Sequence, residues 1–488
     1  MRKWVWLFVI LTIVLGACGK DDDKKDSSAP KAAIPKKTKN FDEWQLIDTQ
    51  DMQAPIEAAV LQAYPQYAPP DEASADNYGI RLSYPLTLAP DGEQVVFMFE
   101  GDQPDQDADY YLCRCGIDSQ EVVCQTVSRE FLMLYSNDAD IAWAPDGQRF
   151  ALTAPKQGLI YYRDVDLWLV DYPSLETANL TDDGYNDNLR PGEEGAERAL
   201  IDTTPIWRSG DLYFMRFNYR TAEAGGIVWG WYRLKDAQGE PEQVFDLTSL
   251  TPRPDLVVTG ETALTPDGKH LIWSQADYGE DEPSWAVYSL DLAAAKTDKI
   301  LTIDDLRPFL PDWSKLAAEP ENFVSYAQLP EVLHLNADGS HLLVKLYSPI
   351  YTGTYPEVLN VIDVELSSGQ ITPLINYSVY ADVQAVSDAF AESAFIPTML
   401  ILAPDAHSLF YVVRQRSGDA TQFILRSMPL PFAGEPAQIG PIPEVDGLGE
   451  SLTRMLGGSG GGGTSVPRIW QPTANGRVLI GTTLLQFK

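Results

Sequence analysis

Residues 264–273 read LTPDGKHLIW, a leucine followed by a Pro-Asp-Gly turn and then an apolar run. Proline presets φ at the first central position of a turn, aspartate hydrogen-bonds the nearby backbone, and glycine accepts a positive φ. The run after the turn contains large apolar residues that favour strands. The segment therefore predicts a strand that ends at the turn and an antiparallel neighbour that begins after it.

Variants of this segment recur along the chain, with starts 55 to 71 residues apart. The seven copies begin at Leu88, Trp143, Trp207, Leu264, Leu335, Leu402 and Trp470. The third copy lacks the proline, the sixth has Ala406 where glycine belongs, and the seventh carries an extra residue. A second strand signature follows, clearest in DLWLVD at 166–171. Each copy thus predicts one four-stranded blade of a β-propeller.

The repeat resembles the TolB-like family of WD-type propellers, in which W-S-P-D-G precedes an apolar strand and then L-W-x-x-D. The resemblance covers about residues 80–488 and implies an all-β fold of seven four-stranded blades, with six or eight as alternatives. The seventh copy lacks a full second half, whereas EWQLID at 43–48 resembles a third strand without a blade. We expect one propeller domain over 41–488, with a closing strand and short helix in 41–80 and blades in 81–488.

The first residues predict export and lipid attachment. Arg2 and Lys3 precede an apolar run of 12 residues that fits a signal-peptide core. The sequence LGAC at 15–18 resembles the lipobox of bacterial lipoproteins, which implies cleavage after residue 17 and lipid, with palmitate-type acyl chains, on Cys18. Residues 18–40 are charged and contain Ser and Pro, which predicts a disordered tether. The expected location is therefore extracytoplasmic, with the chain lipid-anchored to a bacterial cell membrane.

Three further cysteines lie within a dozen residues. Cys113 and Cys115 share one face of a predicted strand, and Cys124 lies across the hairpin. An oxidising compartment permits a disulfide, which we expect to join Cys124 to Cys113 or Cys115 and to leave one thiol. Three free thiols are the alternative, and the spacing without a nearby histidine makes a poor zinc site.

Composition argues against nucleic acid as a partner, and the motifs in the chain do not predict a catalytic or metal site. The net charge of −34 argues against nucleic acid, because phosphate contacts need clustered Lys and Arg. The G-x-S-x-G match at 457–461 lies in a glycine-rich run rather than between a strand and a helix. Asp105, Asp107 and Asp109 have only half of a calcium-loop spacing. No catalytic residue, cofactor site or metal site is predicted, and the four histidines flank turns.

Loop lengths predict where a partner would bind. Strand direction alternates within a blade, so the short first-to-second and third-to-fourth turns share one face. We call this the turn face, and we call the opposite face, which carries the long insertions, the long-loop face. Loops on a rigid scaffold usually carry binding. Aromatic residues in the insertions at 182–204, 304–331 and 377–397 are the candidate contacts: Tyr185, Trp313, Phe323, Tyr326 and Phe390.

The predicted function is a binding or scaffolding module at the cell envelope. Its partner is the membrane through the lipid, together with an unidentified protein, small-molecule or glycan ligand. The alternatives are a carbohydrate-active lyase or hydrolase with a site in the propeller channel, and an accessory or sensor subunit of an envelope complex. A polar cluster at the channel mouth would favour the enzyme, and a broad apolar patch on the long-loop face would favour protein binding.

Overall fold

The structure is a computed structural model, and its description covers part of the chain. The described residues are 46–70, 78–104, 106–129, 131, 140–153, 165–182, 200–218, 228–247, 257–278, 283–306, 329–336, 338–348, 358–375, 400–402, 408–417, 420–429, 437–441, 469–470, 473 and 475–487. Cys18 and the predicted tether lie outside them. So do all five aromatic candidates and the glycine-rich run.

Strands dominate the described residues, as the sequence predicts. The first three units comprise β2 (Gly79–Leu88), β3 (Gln94–Asp102), β4 (Asp109–Gly116), β5 (Val122–Thr126); β6 (Asp140–Trp143), β7 (Arg149–Thr153), β8 (Trp168–Asp171), β9 (Thr177–Asn179); β10 (Leu200–Arg208), β11 (Asp211–Asn218), β12 (Val228–Lys235) and β13 (Gln238–Asp246). Each unit is a four-stranded antiparallel sheet in chain order.

Three more four-stranded units follow. They comprise β14 (Val257–Leu264), β15 (His270–Tyr278), β16 (Pro283–Asp291), β17 (Lys296–Thr302); β18 (Leu329–Leu335), β19 (His341–Ser348), β20 (Val358–Glu365), β21 (Gln370–Ile375); β22 (Leu400–Leu402), β23 (Ser408–Ser417), β24 (Ala420–Pro429) and β25 (Ala437–Pro441). The fourth and fifth units join into one eight-stranded sheet through a parallel contact of Gly260 with Val332.

The N-terminal segment and the last strands complete the described chain. They are β1 (Leu46–Asp51), helix α1 (Gln53–Ala63), a 3₁₀ turn (Pro65–Tyr67), β26 (Ile469–Trp470), β27 (Arg477–Ile480) and β28 (Thr483–Phe487). A four-residue helix, α2 (Ile303–Leu306), follows β17. No helix among the described residues is long and apolar enough to cross a membrane.

The all-β propeller is confirmed, but six blades are present rather than the seven that the sequence favoured. Six copies of the repeat build four-stranded units, and the seventh contributes only β27 and β28 to a three-stranded sheet. The reason is that β26, which begins the seventh copy, pairs in parallel with β22 of the sixth unit. Six blades was one of the stated alternatives.

The N-terminal strand closes the last sheet. β1 pairs antiparallel with β28, so that Gln50 lies opposite Leu484. It occupies the outer edge of the sheet, which is the place of a fourth strand rather than of the third strand that its sequence resembles. α1, the short helix expected in 41–80, follows at once and buries Ile56 and Val60.

Apolar residues from neighbouring sheets pack together to form the core. One cluster joins Leu479 and Leu484 of the last sheet to Val95 and Phe97 of the first unit. Similar clusters join the first unit to the second, the second to the third, the third to the fourth and the fourth to the fifth. Burial between sheets therefore holds successive units together and joins the last sheet to the first.

Candidate functional site

The turn face is built from one repeated hydrogen-bond pattern. In each of the five Pro-Asp-Gly-like turns that the structure describes, the residue before the turn accepts the glycine N–H at its carbonyl oxygen and donates its own N–H across the turn. Thr265 does so with Gly268 and His270. The turn aspartate accepts a further N–H two residues on, at 3.0 Å from Asp267 to Lys269. The glycine of each of these five turns has a positive φ: Gly92, Gly147, Gly268, Gly339 and Gly476.

A second repeated bond ties the two turns of a blade together. Leu292 N–H, in the turn between the third and fourth strands, donates to Lys269 C=O at 2.9 Å. Corresponding bonds occur in the first, second and fifth units. Both kinds of turn therefore lie on one face, as the sequence predicts. Backbone hydrogen bonds hold the turns of that face in place.

Neighbouring blades meet on this face through a glycine. A Cβ added to Gly147 would lie 3.7 Å from Pro90 of the preceding blade, and one added to Gly339 would lie 2.9 Å from Pro266. Between the third and fourth units, the same position at Gly268 faces Arg208, with its Nε 2.5 Å from the added Cβ. The Arg208 guanidinium thus lies where the junctions at Gly147 and Gly339 have a proline ring.

The missing proline of the third copy explains this exchange. Ser209 and Gly210 form a two-residue turn in which both have positive φ, and Arg208 pairs directly with Asp211. The other described copies use the longer Pro-Asp-Gly-like turn. Arg208 ends β10 and is half-buried, and its Nη1 donates to the Tyr213 hydroxyl at 3.3 Å.

A cavity of about 280 Å³ opens at this junction between the third and fourth units. Three basic side chains and one carboxylate line it, together with a tyrosine, a glutamine and aliphatic residues. The lining residues are Arg208, Tyr213, Arg233, Glu242, Gln243, Val244, Lys269, Leu292 and Ala293. In a chain with 70 acidic and 36 basic residues, this lining reverses the prevailing sign of charge.

The three cations differ in how they are paired. Arg233 donates to Glu242 at 2.5 Å, and that hydrogen bond, opposed by burial, raises its pKa. Lys269 is exposed and lies 3.0 Å from Asp267. Among the described residues, Arg208 has no carboxylate within ion-pair distance; its hydrogen bond is to Tyr213. Arg208 is therefore the cation best placed to receive an anion from outside.

Sequence reasoning placed the candidate surface elsewhere. Its candidate contacts on the long-loop face fall outside the described residues, so that expectation stays a prediction. The cavity on the turn face was missed, although the sequence carried its signal in the absent proline of the third copy. The residue that replaces the proline at the junction contacts the neighbouring blade, and the sequence of one repeat does not identify that contact.

The disulfide prediction is confirmed and narrowed to one pairing. Cys113 and Cys124 are bonded across β4 and β5, where they are directly opposite each other. Cys115 is the remaining thiol, and burial raises its pKa to about 11. The Cys115 thiol is therefore neutral and poorly nucleophilic at neutral pH.

The described members of the acidic triplet, Asp107 and Asp109, lie in different surroundings. Asp109 accepts a hydrogen bond from the Tyr67 hydroxyl at 2.7 Å, whereas Asp107 is exposed and Asp105 is outside the described residues. No group of three or more potential metal ligands occurs within the part of the chain that the structure describes.

The described histidines occupy strand positions beside turns. His341 lies 2.9 Å from Asp363, and burial raises the pKa of that carboxyl despite the histidine. His334 is in β18, where burial lowers its pKa to about 4. His270 lies 3.4 Å from Ser289, and His407 is outside the described residues.

Comparisons with known proteins bear on the fold alone. No family model and no curated protein sequence matches the chain. The β-propeller domain of the Trilobed protease from Pyrococcus furiosus is 9% identical, with a TM-score of 0.35, over 75% of this chain and 99% of that domain. The polysaccharide lyase Uly1 is 10% identical, with a TM-score of 0.40, over 78% and 87% of the two chains.

A third similar structure is much longer than this chain. The acylaminoacyl peptidase of Pyrococcus horikoshii is 11% identical, with a TM-score of 0.38, and the match covers 75% of this chain but 46% of the peptidase. The chain thus spans less than half of that enzyme. No residue role passes from these proteins to this one at such identities.

Proposed function

We propose that this protein is a lipid-anchored, extracytoplasmic β-propeller that acts as a binding module at the cell envelope. The observation that carries the binding role is the cavity between the third and fourth units. Its basic lining stands out in an acidic chain, and backbone hydrogen bonds of the repeat hold the fourth-unit turns that form one side of it. Preorganised polar groups around a cavity are typical of a ligand site.

Two features support the proposed location. The lipobox-like sequence before Cys18 and the apolar run that precedes it are typical of an exported lipoprotein. The Cys113–Cys124 disulfide is the kind of bond that persists in oxidising compartments. The lipid on Cys18 supplies the membrane contact, and the partner is a small molecule, a glycan or a protein that presents a group to the turn face.

One experiment on the full-length chain tests both the lipid anchor and the binding role. In cells fed a clickable fatty acid, wild-type protein should carry label in the membrane fraction, and Cys18→Ala should be unlabelled and unprocessed. Detergent-extracted wild type, Arg208→Gln/Lys269→Gln, and a variant shortened within 377–397 would then be crosslinked and compared for captured ligand. We expect the turn-face variant to lose the ligand and the loop variant to keep it.

The opposite outcomes are equally clear. Fatty-acid label on Cys18→Ala, or membrane retention of an unlabelled wild type, would overturn the anchor. Loss of captured ligand only in the loop variant would move binding to the long-loop face, where Trp313 and Phe390 are the predicted contacts. Equal melting of the three proteins is the control for folding.

A further inference from the structure

The charge balance at the cavity identifies the kind of group that it would hold. Glu242 is the one carboxylate in its lining, and it is already bonded to Arg233. Asp211 is 3.9 Å from Arg233 as well, and its other oxygen accepts the Asp236 N–H at 2.9 Å. These two carboxylates serve Arg233 and the backbone, and Asp267 pairs with Lys269 at 3.0 Å. Within the described residues no carboxylate pairs with Arg208, whose hydrogen bond is to Tyr213.

The position of Arg208 makes an unmatched charge costly. Its side chain is half-buried at the end of β10, against the glycine of the next blade. A partly buried charge loses hydration, and the hydrogen bond that Arg208 donates to the Tyr213 hydroxyl restores only part of it. An incoming anion would restore more, because guanidinium groups bind oxyanions through strong, charge-assisted hydrogen bonds.

The cavity has room for one small ligand group. Its volume is about 280 Å³, and it is open to solvent. A single anionic headgroup with a few attached atoms fits this space. Val244 and Leu292 provide an apolar wall beside the cations, which suits the uncharged body of such a ligand.

We propose that this cavity binds one oxyanion group of a small ligand, a carboxylate, phosphate or sulfate, with Arg208 as the principal donor and Lys269 as a second cation. The proposal rests on the binding role proposed above and names the chemistry of the ligand. Arg233 is a third cation of the lining, and it is paired with Glu242.

Calorimetric titration of the full-length protein in non-ionic detergent tests the assignment. The probes are sodium phosphate, sodium sulfate and sodium acetate, each compared with sodium chloride at the same low ionic strength. We expect at least one oxyanion to bind where chloride does not. Tighter binding of acetate would indicate a carboxylate ligand, and tighter binding of phosphate or sulfate would indicate a tetrahedral one.

Three variants separate the cavity from general electrostatics. Arg208→Gln should weaken oxyanion binding about tenfold, as expected for one lost charge-assisted hydrogen bond. Glu242→Gln should strengthen it about threefold by freeing Arg233, a gain that a damaged fold would not give. Lys296→Gln is the matched control, because Lys296 is an exposed cation of the fourth unit that pairs with Asp298 away from the lining.

The proposal is wrong if no oxyanion binds better than chloride, or if Arg208→Gln and Lys296→Gln bind alike. It is also wrong if Glu242→Gln weakens binding as much as Arg208→Gln does. Retained oxyanion binding in protein that captures no cellular ligand would refute the proposed envelope role and leave the site assignment standing. Failure of the two proposals is therefore distinguishable.

Discussion

Asp202 in β10 and Arg216 in β11 form an ion pair within the third unit that should stabilise the protein more than any surface pair does. Both guanidinium contacts to the carboxylate are 2.7 Å, and the side chains are only 1% and 13% exposed. The guanidinium also lies over the Phe214 and Tyr232 rings. Removing one member of a buried pair leaves the other charge without its principal partner, which typically costs about 3–5 kcal/mol.

Arg216→Met keeps much of the side-chain volume and should lower the free energy of unfolding by that amount. Arg81→Met is the matched control, because Arg81 is 71% exposed and its pairs with Glu100 and Asp102 are worth about 0–1 kcal/mol. Urea denaturation of the two variants and the wild type measures the difference. Equal shifts of the midpoint would show that burial does not strengthen the pair.

Single residues also show how far sequence reasoning reached. The positive φ of the turn glycines follows from the local motif, because glycine adopts a positive φ at low cost. Arg208 does not follow from the motif. Its role depends on Gly268 in the next blade and on the register between two sheets, which are contacts made across about 60 residues of chain.

Among the elements, the β4–β5 hairpin carries a covalent constraint that should stabilise the first unit. The Cys113–Cys124 bond closes a short loop of 11 residues, for which the loss of chain entropy in the unfolded state gives a stabilisation of about 3 kcal/mol. Cys113→Ser/Cys124→Ser should lose about that much. Chemical denaturation with and without reductant provides the measurement.

Reductant supplies the internal control. It should destabilise the wild type and leave the double variant unchanged, since Cys115 is a buried thiol without a disulfide. A wild type that is indifferent to reductant, with both cysteines accessible to alkylation after unfolding, would contradict the pairing. Cys115 itself should react only once the chain unfolds, because burial raises its pKa and blocks access.

The strands show which features of the fold the repeated motif predicts and which it does not. The copies correctly locate the first two strands of the described units, and the short helix expected in 41–80 is α1. Sheet membership is a different property. β26 has the sequence of a first strand, yet in the described residues it pairs with β22 and not with β27. The pairing partner of a strand depends on two segments of chain, and the motif of one copy does not specify it.

At the scale of the whole molecule, closure by β1 links the two ends of the described chain. β1 covers the edge of β28, and Met52 just after it donates its N–H to Thr482 C=O at 2.8 Å. The last sheet in turn packs Leu479 and Leu484 against the first unit. The stability of the first and last sheets should therefore depend on β1, which precedes both sheets in the sequence.

Deleting residues 46–51 from the full-length chain should lower the free energy of unfolding by at least ~3 kcal/mol, comparable to opening a core cluster. It would also leave β28 with an unpaired edge, so the truncated protein should aggregate more readily on heating. Deleting residues 20–38, the predicted tether, is the control and should change neither property. Thermal unfolding with light scattering measures both. If the two deletions melt together and near the wild type, β1 does not hold the ring closed, and the contacts between Leu484 and the first unit suffice without it.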